Sequence, residues 1–398
     1  MIKAASLYTK EIDDISLACR QIKEQLDEKL VLLKNSVGII QCHVQYVEEG
    51  IMEQLYKTLQ IPLAGGTTVA SATNDALDSL ILSVLVLTSD DVEFVVSHTQ
   101  GLEEDCDGAV RRSFEAALAR PGLPAPLQMA LVFPPIIEAF AGDIYIEAVE
   151  NVCGKTPVFG PLVVDDSLTF FGGSMSFCND KGFHSEMTYV LFFGNVKPRF
   201  FTATVPPDTS SHILAPAEIT KSSENIVYEL NNMRAIDYFE SVGLASDGSL
   251  KKGAIFIPAL ITQTDCADEV PFVRAFIDMN EDGAAGFRGK MPLGAKFTLG
   301  STSKTDAFDA TVESVKQIKA VCDAEKNIGA ALVFSCIVRQ LRISSDPMKE
   351  LTFVKDELGD GLPFMMSYGG GEISPTSVDS ENNAQNRFHN YTLIACLL

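Results

Sequence analysis

Ile61-Pro62-Leu63-Ala64-Gly65-Gly66 is a short apolar run that opens on a proline and ends in glycines, followed by Thr67-Thr68-Val69-Ala70-Ser71. The pattern returns as Thr156-Pro157-Val158-Phe159-Gly160-Pro161, followed by Leu162 to Asp166. It returns again as Leu362-Pro363-Phe364-Met365-Met366-Ser367, followed by Tyr368-Gly369-Gly370-Gly371-Glu372. Upstream of each run lies a helical stretch, and before that another apolar run: Val37 to Ile40, Ala130 to Phe133 and Ala331 to Phe334. A further strand-like run follows each loop: Leu82 to Leu87, Met187 to Phe192 and Tyr391 to Cys396. Internal repetition of this kind decides the fold before any single element does. It predicts three copies of a strand–helix–strand–loop–strand unit. The two dozen or so residues between the first two strands suffice for one right-handed crossover, so those strands are predicted to be parallel. The exit strands then make the sheets mixed, and the fold class is α/β, in the mixed α+β sense.

Around these units the periodicity predicts a helix from Thr9 to Leu33 and another from about Glu48 to Leu59. It predicts a charged helix from Cys106 to Arg120 and a long helix from Lys304 to Ala324. Leu82–Leu87 with Val92–Val96, and Met187–Phe192 with Lys197–Val205, read as two hairpins. Pro206 to Ser211 reads as a linker. Beyond it Asn225–Leu230, Ala254–Ile261, Phe272–Asp278 and Ala295–Leu299 read as antiparallel strands, with a short helix near Arg234 to Val242. A boundary near residue 210 therefore divides the chain into residues 1–210 and 211–398.

The 398 residues carry 31 Lys+Arg against 53 Asp+Glu, a formal charge of -22. Such a field repels phosphate backbones and anionic membrane surfaces, so neither nucleic acid nor a lipid surface is expected as a partner. No apolar stretch is long enough to span a bilayer as a helix, and no secretory signal opens the sequence. Nine scattered cysteines without a CxxC pair read as buried free thiols in a reducing, cytoplasmic compartment.

Pro62 to Thr68, Pro157 to Gly160, Phe272-Val273-Arg274, Ala331 to Cys336 with Arg339, Gly371-Glu372-Ile373-Ser374-Pro375 and Phe388-His389-Asn390-Tyr391-Thr392 occur in that order. Together they resemble the FIST (F-box and intracellular signal transduction) family, with an N-terminal FIST domain in residues 1–210 and a C-terminal one in 211–398. The resemblance implies a sensory module that binds small ligands such as amino acids. Relatives are often joined to kinase, cyclase or chemotaxis domains, and some bacterial members bind haem and sense nitric oxide. No such output domain is read in this sequence, so a separate kinase- or cyclase-like protein is expected to receive the signal. The second loop reads Gly160-Pro161 where many relatives have a second glycine.

The residue chemistry is compatible with that expectation. Gly65, Gly66 and Gly371 let backbone amides approach a ligand, while Thr67, Thr68, Asp165, Asp166 and Glu372 supply hydroxyls and carboxylates. Amides and hydroxyls suit a carboxylate and acids suit an ammonium group, so a zwitterion is a natural guest. The same residues can serve only as turns and caps. His389 and Asn390, with Arg274, Arg339 and Arg387, read either as ligand contacts or as a hydrogen-bonded interdomain clamp. Haem b needs one axial histidine, for which His43 and His184 are the candidates. Cys178 with His184 can be drawn as a catalytic pair, although no third group or strained elbow accompanies it. Asp278 to Gly283 looks like the start of a calcium loop, but Gly289 stands where the bidentate glutamate belongs, so a polar turn is expected.

Overall fold

A computed structural model describes residues 1–167, 169–204, 216–243, 258–263, 271–300, 303–325, 327–343, 346, 348–359 and 361–398. The first unit runs β1 (Lys3–Thr9), α1 (Ile15–Lys29), β2 (Asn35–Cys42), α2 (Val44–Glu48), α3 (Ile51–Leu59), β3 (Leu63–Thr67), β4 (Ser71–Thr73), β5 (Leu77–Asp78) and β6 (Leu82–Ser89). The second runs β7 (Val92–His98), α4 (Cys106–Leu118), β8 (Leu127–Phe133), α5 (Asp143–Cys153), β9 (Val158–Pro161), β10 (Ser176–Cys178), β11 (Lys181–Phe183) and β12 (Thr188–Gly194). The third opens with β13 (Arg199–Thr204). An insertion follows: β14 (Ala217–Ser223), β15 (Ile226–Leu230), β16 (Met233–Arg234), α6 (Ala235–Ser241), β17 (Pro258–Thr262), β18 (Phe272–Met279), β19 (Ala285–Phe287) and β20 (Lys296–Leu299). The unit then resumes with α7 (Lys304–Ala324), β21 (Ala331–Cys336), α8 (Ile337–Ile343), α9 (Lys349–Leu358), β22 (Phe364–Gly369), β23 (Glu372–Val378), β24 (Ala384–His389) and β25 (Thr392–Leu397).

Each unit builds the same four-stranded frame: opening strand, exit strand, then the two strands of the crossover. The orders are β1-β6-β2-β3, β7-β12-β8-β9 and β13-β25-β21-β22. The three crossover pairs are parallel, as the repeat predicts, and every other pair in the frames is antiparallel. The last two strands of each sheet come from a different unit. β10-β11 of the second unit complete the first sheet, β23-β24 of the third complete the second, and β4-β5 of the first complete the third. This cyclic exchange ties the three units into one body.

The central strands are apolar along their length because both faces are covered. One face of each sheet meets the other two sheets around a shared core of Ile39, Leu85, Leu131, Phe159, Leu332, Phe334 and their neighbours. Phe334 touches Phe133 and Phe159 there, with ring centroids 6.3 and 5.5 Å away. Burial of one such ring is worth ~1.5–3 kcal/mol. The other faces carry the helices: α1 and α3 on the first sheet, α4 and α5 on the second, α7, α8 and α9 on the third. The insertion forms its own seven-stranded sheet with a separate aromatic core that includes Phe239, Phe276, Phe287 and Phe297.

Three expectations are corrected. The first helix starts at Ile15, where Asp14 caps it by accepting from the Leu17 amide, and Lys3–Thr9 is instead an edge strand paired with β6. The two expected hairpins do not form. β6 and β7 follow each other in sequence but belong to the first and second sheets, and β12 and β13 to the second and third. Both connections carry the chain from one unit to the next. The expected linker at 206–211 and residues 254–257 of the strand expected at 254–261 lie outside the described residues. The remainder of that strand lies in β17. Of Asp278–Gly283, Asp278 and Met279 end β18 and the rest is a turn: Gly283 is left-handed, and the Asn280 side chain accepts from the Ala284 amide. No helix among the described residues is long and apolar enough to cross a membrane.

Candidate functional site

The three strand-end loops meet where the sheets converge, and they bond to one another in a closed triangle. The Thr67 carbonyl accepts from the Val164 amide at 3.2 Å, joining the first loop to the second. The Leu162 amide donates to Gly371, and Leu162 accepts from the Gly370 amide, both at 2.9 Å, joining the second to the third. Thr68 closes the ring: its hydroxyl accepts from the Tyr368 amide at 3.1 Å and lies 2.9 Å from the Tyr368 carbonyl oxygen.

Within that ring many sequence candidates are committed to the protein itself. A Cβ at Gly65 would overlap the Ile40 carbonyl, and one at Gly66 would overlap Val163, so these glycines serve close packing. The Thr67 hydroxyl accepts from the Met175 amide. Asp165 accepts from the Ser167 amide and hydroxyl and from the Gly173 amide, which fixes its own loop. Asp166 reaches the His43 Nε2 at 3.1 Å, and the His43 Nδ1 accepts from the Gln45 amide, so neither ring nitrogen is free for a haem iron. His184 bonds the Ser174 carbonyl oxygen through Nδ1. Burial pushes the Cys178 thiol up to about 11, which keeps it protonated at neutral pH.

Arg274, Asn390 and His389 join the insertion to the three-unit body or brace the neighbouring strands. Arg274 donates to the Phe388 carbonyl at 2.8 Å and to the Asp143 carboxylate at 2.9 Å. Asn390 accepts from the Ala275 amide at 3.2 Å. His389 donates through Nε2 to the Ser374 carbonyl at 3.2 Å, and burial depresses it to about 3, so the ring is neutral.

Glu372 differs from all of these. It opens β23, is 0% exposed, and neither carboxyl oxygen has a hydrogen-bond partner among the described residues. Burial pushes its acid well above the ordinary carboxylate range. The Arg339 guanidinium pulls it back, Glu350 pushes it further up, and the adjacent Cys336 thiol lowers it slightly without bonding either oxygen. The carboxyl is therefore a neutral acid, able both to donate and to accept. Beneath it lies a buried ion pair. Arg339 donates to Glu350 Oε1 at 2.9 Å, to the Thr311 hydroxyl at 2.7 Å and to the Ala307 carbonyl at 2.8 Å. Glu350 accepts from Thr311 at 2.6 Å and from Ser335 at 2.8 Å. Beside this pair the buried Tyr368 hydroxyl has no hydrogen-bond partner either.

Register shows how unusual the position is. Glu372 opposes Pro161 in the second sheet as Ser176 opposes Gly66 in the first. Ser71 opposes Ser367 at the matching place in the third. Of three equivalent positions only one carries an acid.

Arg288 was absent from the sequence candidates. It follows β19 in the insertion, its guanidinium lies 5.4 Å from the Phe171 ring centroid, and no hydrogen bond or ion pair to it forms among the described residues. Burial pulls its basicity down while Glu138, Asp278 and Cys336 push it up, and its backbone amide donates to the Ala275 carbonyl, whose own amide donates to Asn390. The sequence signal was the run Phe287-Arg288-Gly289, in which Gly289 leaves room for Arg274 and Asp143.

Comparison with known families matches the FIST N domain over residues 36–233 and the FIST C domain over residues 235–375. No curated protein matches the chain. FIST domains are sensor domains of signal transduction. With both domains in tandem over most of its length, the chain belongs to the FIST family.

Proposed function

We propose that this protein is a cytoplasmic sensor for a small polar ligand of the amino-acid type. The ligand is received where the three strand-end loops converge, next to Glu372. One observation carries the reading: a wholly buried carboxyl with two unpartnered oxygens, set against an already satisfied ion pair. An orphaned buried polar group is costly to the fold, by about 1–3 kcal/mol, unless something else completes it. The loops around it supply the glycine, threonine and acidic groups expected of such a site.

A division near residue 210 belongs to the same proposal. It lets the 217–299 sheet shift against the three-unit body, and a separate protein such as a kinase or cyclase reads the shift. A ligand biases that equilibrium only by its differential affinity for the two arrangements.

The test is thermal melting of the purified chain against amino acids and other small metabolites. A specific ligand raises Tm with concentration as mass action requires, and Glu372→Ala abolishes the rise. A flat response across the panel from cleanly folded protein sinks the reading.

A further inference from the structure

Arg288 is a second incomplete group at the same place, and it is of opposite chemical character to Glu372. The guanidinium carries five donors in a planar fork. Among the described residues it receives a ring contact from Phe171 and distant carboxylates, but no acceptor. The other arginines nearby are satisfied: Arg339 by Glu350, Thr311 and Ala307, Arg274 by Asp143 and Phe388. On a chain with a formal charge of -22, an anion needs a local cation to approach at all. Arg288 supplies it from the insertion, whereas Glu372 belongs to the three-unit body. The Arg288 amide donates to the Ala275 carbonyl at 3.1 Å and the Ala275 amide to Asn390 Oδ1 at 3.2 Å, next to His389, the strand partner of Glu372.

We propose that Arg288 and Glu372 are the two ends of one receptor for a small oxyanion, with Arg288 the residue that determines specificity. The fork of Arg288 takes two oxygens of a carboxylate or phosphate side by side, a geometry that suits arginine better than lysine. Glu372, neutral in its buried setting, donates to or accepts from the far end of the same molecule. Because Arg288 comes from the inserted sheet, a bound oxyanion bridges the insertion to the body, adding to the polar contacts of Arg274, Lys290 and Asn390 and of the Arg288 carbonyl with the Gly142 amide. The inference rests on the sensor reading above and narrows its ligand class.

The test is thermal melting and calorimetry on the full chain at constant ionic strength. The probes are alanine, alaninamide, pyruvate and inorganic phosphate, with sodium chloride as control. Alanine or pyruvate is expected to stabilise the protein while alaninamide, which lacks the carboxylate, does not. Phosphate outdoing pyruvate would name phosphate, and the reverse a carboxylate, as the source of the oxyanion. Arg288→Gln should erase the preference for alanine over alaninamide. Arg288→Lys, which keeps the charge and loses the fork, should weaken anion affinity by about tenfold or more, and it stands in if the glutamine variant fails to fold. Anion stabilisation that persists in Arg288→Gln overturns the assignment, and so does equal binding of alanine and alaninamide. Binding of alaninamide alone overturns it while leaving the sensor reading in place. Silence from all four probes and from the wider metabolite panel removes both.

Discussion

The interface that receives β10 and the interface that receives β23 share one backbone arrangement and differ in chemistry. In the first, Ser176 stands opposite Gly66, and its hydroxyl lies 2.5 Å from the Glu186 carbonyl oxygen and 3.1 Å from the Thr188 hydroxyl. Every polar atom of that side chain is satisfied. In the second, Glu372 stands opposite Pro161 with both oxygens unpartnered. A fold can fill this position with a small satisfied hydroxyl, as at Ser176 and at Ser71, whose Oγ lies 2.7 Å from Ser83 Oγ. An orphaned acid there is therefore not dictated by packing, which supports the ligand site proposed at Glu372. The glycines point the same way. Gly65 and Gly160 each sit too close to the adjoining strand for a Cβ, whereas the third unit carries Met366 at the matching place.

The comparison can be broken most severely from beneath. Glu350→Ala leaves Arg339 buried without its carboxylate and is expected to cost ~3–5 kcal/mol in denaturant unfolding. A loss below ~1 kcal/mol would mean that water reaches the pair and that the second interface is not the dry site described here. Transplanting the acid gives the next largest effect. Ser176→Glu creates an orphan carboxyl in the first interface and removes two hydrogen bonds, for an expected loss of ~2–4 kcal/mol. A neutral outcome would show that this backbone position tolerates an acid anywhere.

Glu372→Gln sharpens the contrast through pH. A folded-state acid held well above its unfolded value binds its proton in the native state after the unfolded chain has released it. Stability therefore falls as pH rises above the unfolded value near 4.3, by about 1.4 kcal/mol per unit, until the folded value is passed. The glutamine variant lacks this slope, so its advantage over the wild type grows with pH across that window. His389 acts in the opposite sense. It is depressed to about 3 and stays neutral in the fold, so stability is lost as pH falls below its unfolded value near 6.5. Where the two windows overlap, the slopes cancel in the wild type. Glu372→Gln should expose the histidine slope as a loss of stability toward acid below about pH 6.5. Tm measured across pH 4.5–8 for both proteins checks this, and parallel profiles would refute it.

The smallest expected effect tests the triangle of loops. Thr68→Val removes the hydroxyl that bridges the first and third loops and leaves the Tyr368 amide unpaired, at a cost of ~1–3 kcal/mol by thermal unfolding. If ligand affinity falls while stability is unchanged, Thr68 acts on the ligand rather than on the loops.

Much of the fold was legible in the chain, because a repeated pattern needs no long-range information to be seen. Pro62, Pro157 and Pro363 mark the start of three equivalent strands, and parallel pairing followed from the length of the crossovers. The long helix was read at Lys304–Ala324, where the structure has it, with Ser303 as its cap. What failed were the connections. A two-residue link between strands looks like a hairpin whether it reverses within one sheet, as expected at Asp90-Asp91, or hands the chain to the next sheet, as it does. Alternation of apolar residues reports that a face is buried, not against what.

The sequence by itself determined the three units, the parallel crossover pairs, the mixed sheets and the residue types gathered at the strand ends. These are set by local period, proline and glycine, which act within a few residues. The tertiary structure alone decided that each unit lends a hairpin to another, that Asp165 and Arg274 are consumed by internal bonds, and that Glu372 and Arg288 are left incomplete. Whether a polar group is satisfied depends on atoms that lie tens to hundreds of residues away in sequence, and only the packed fold brings those atoms within hydrogen-bond distance.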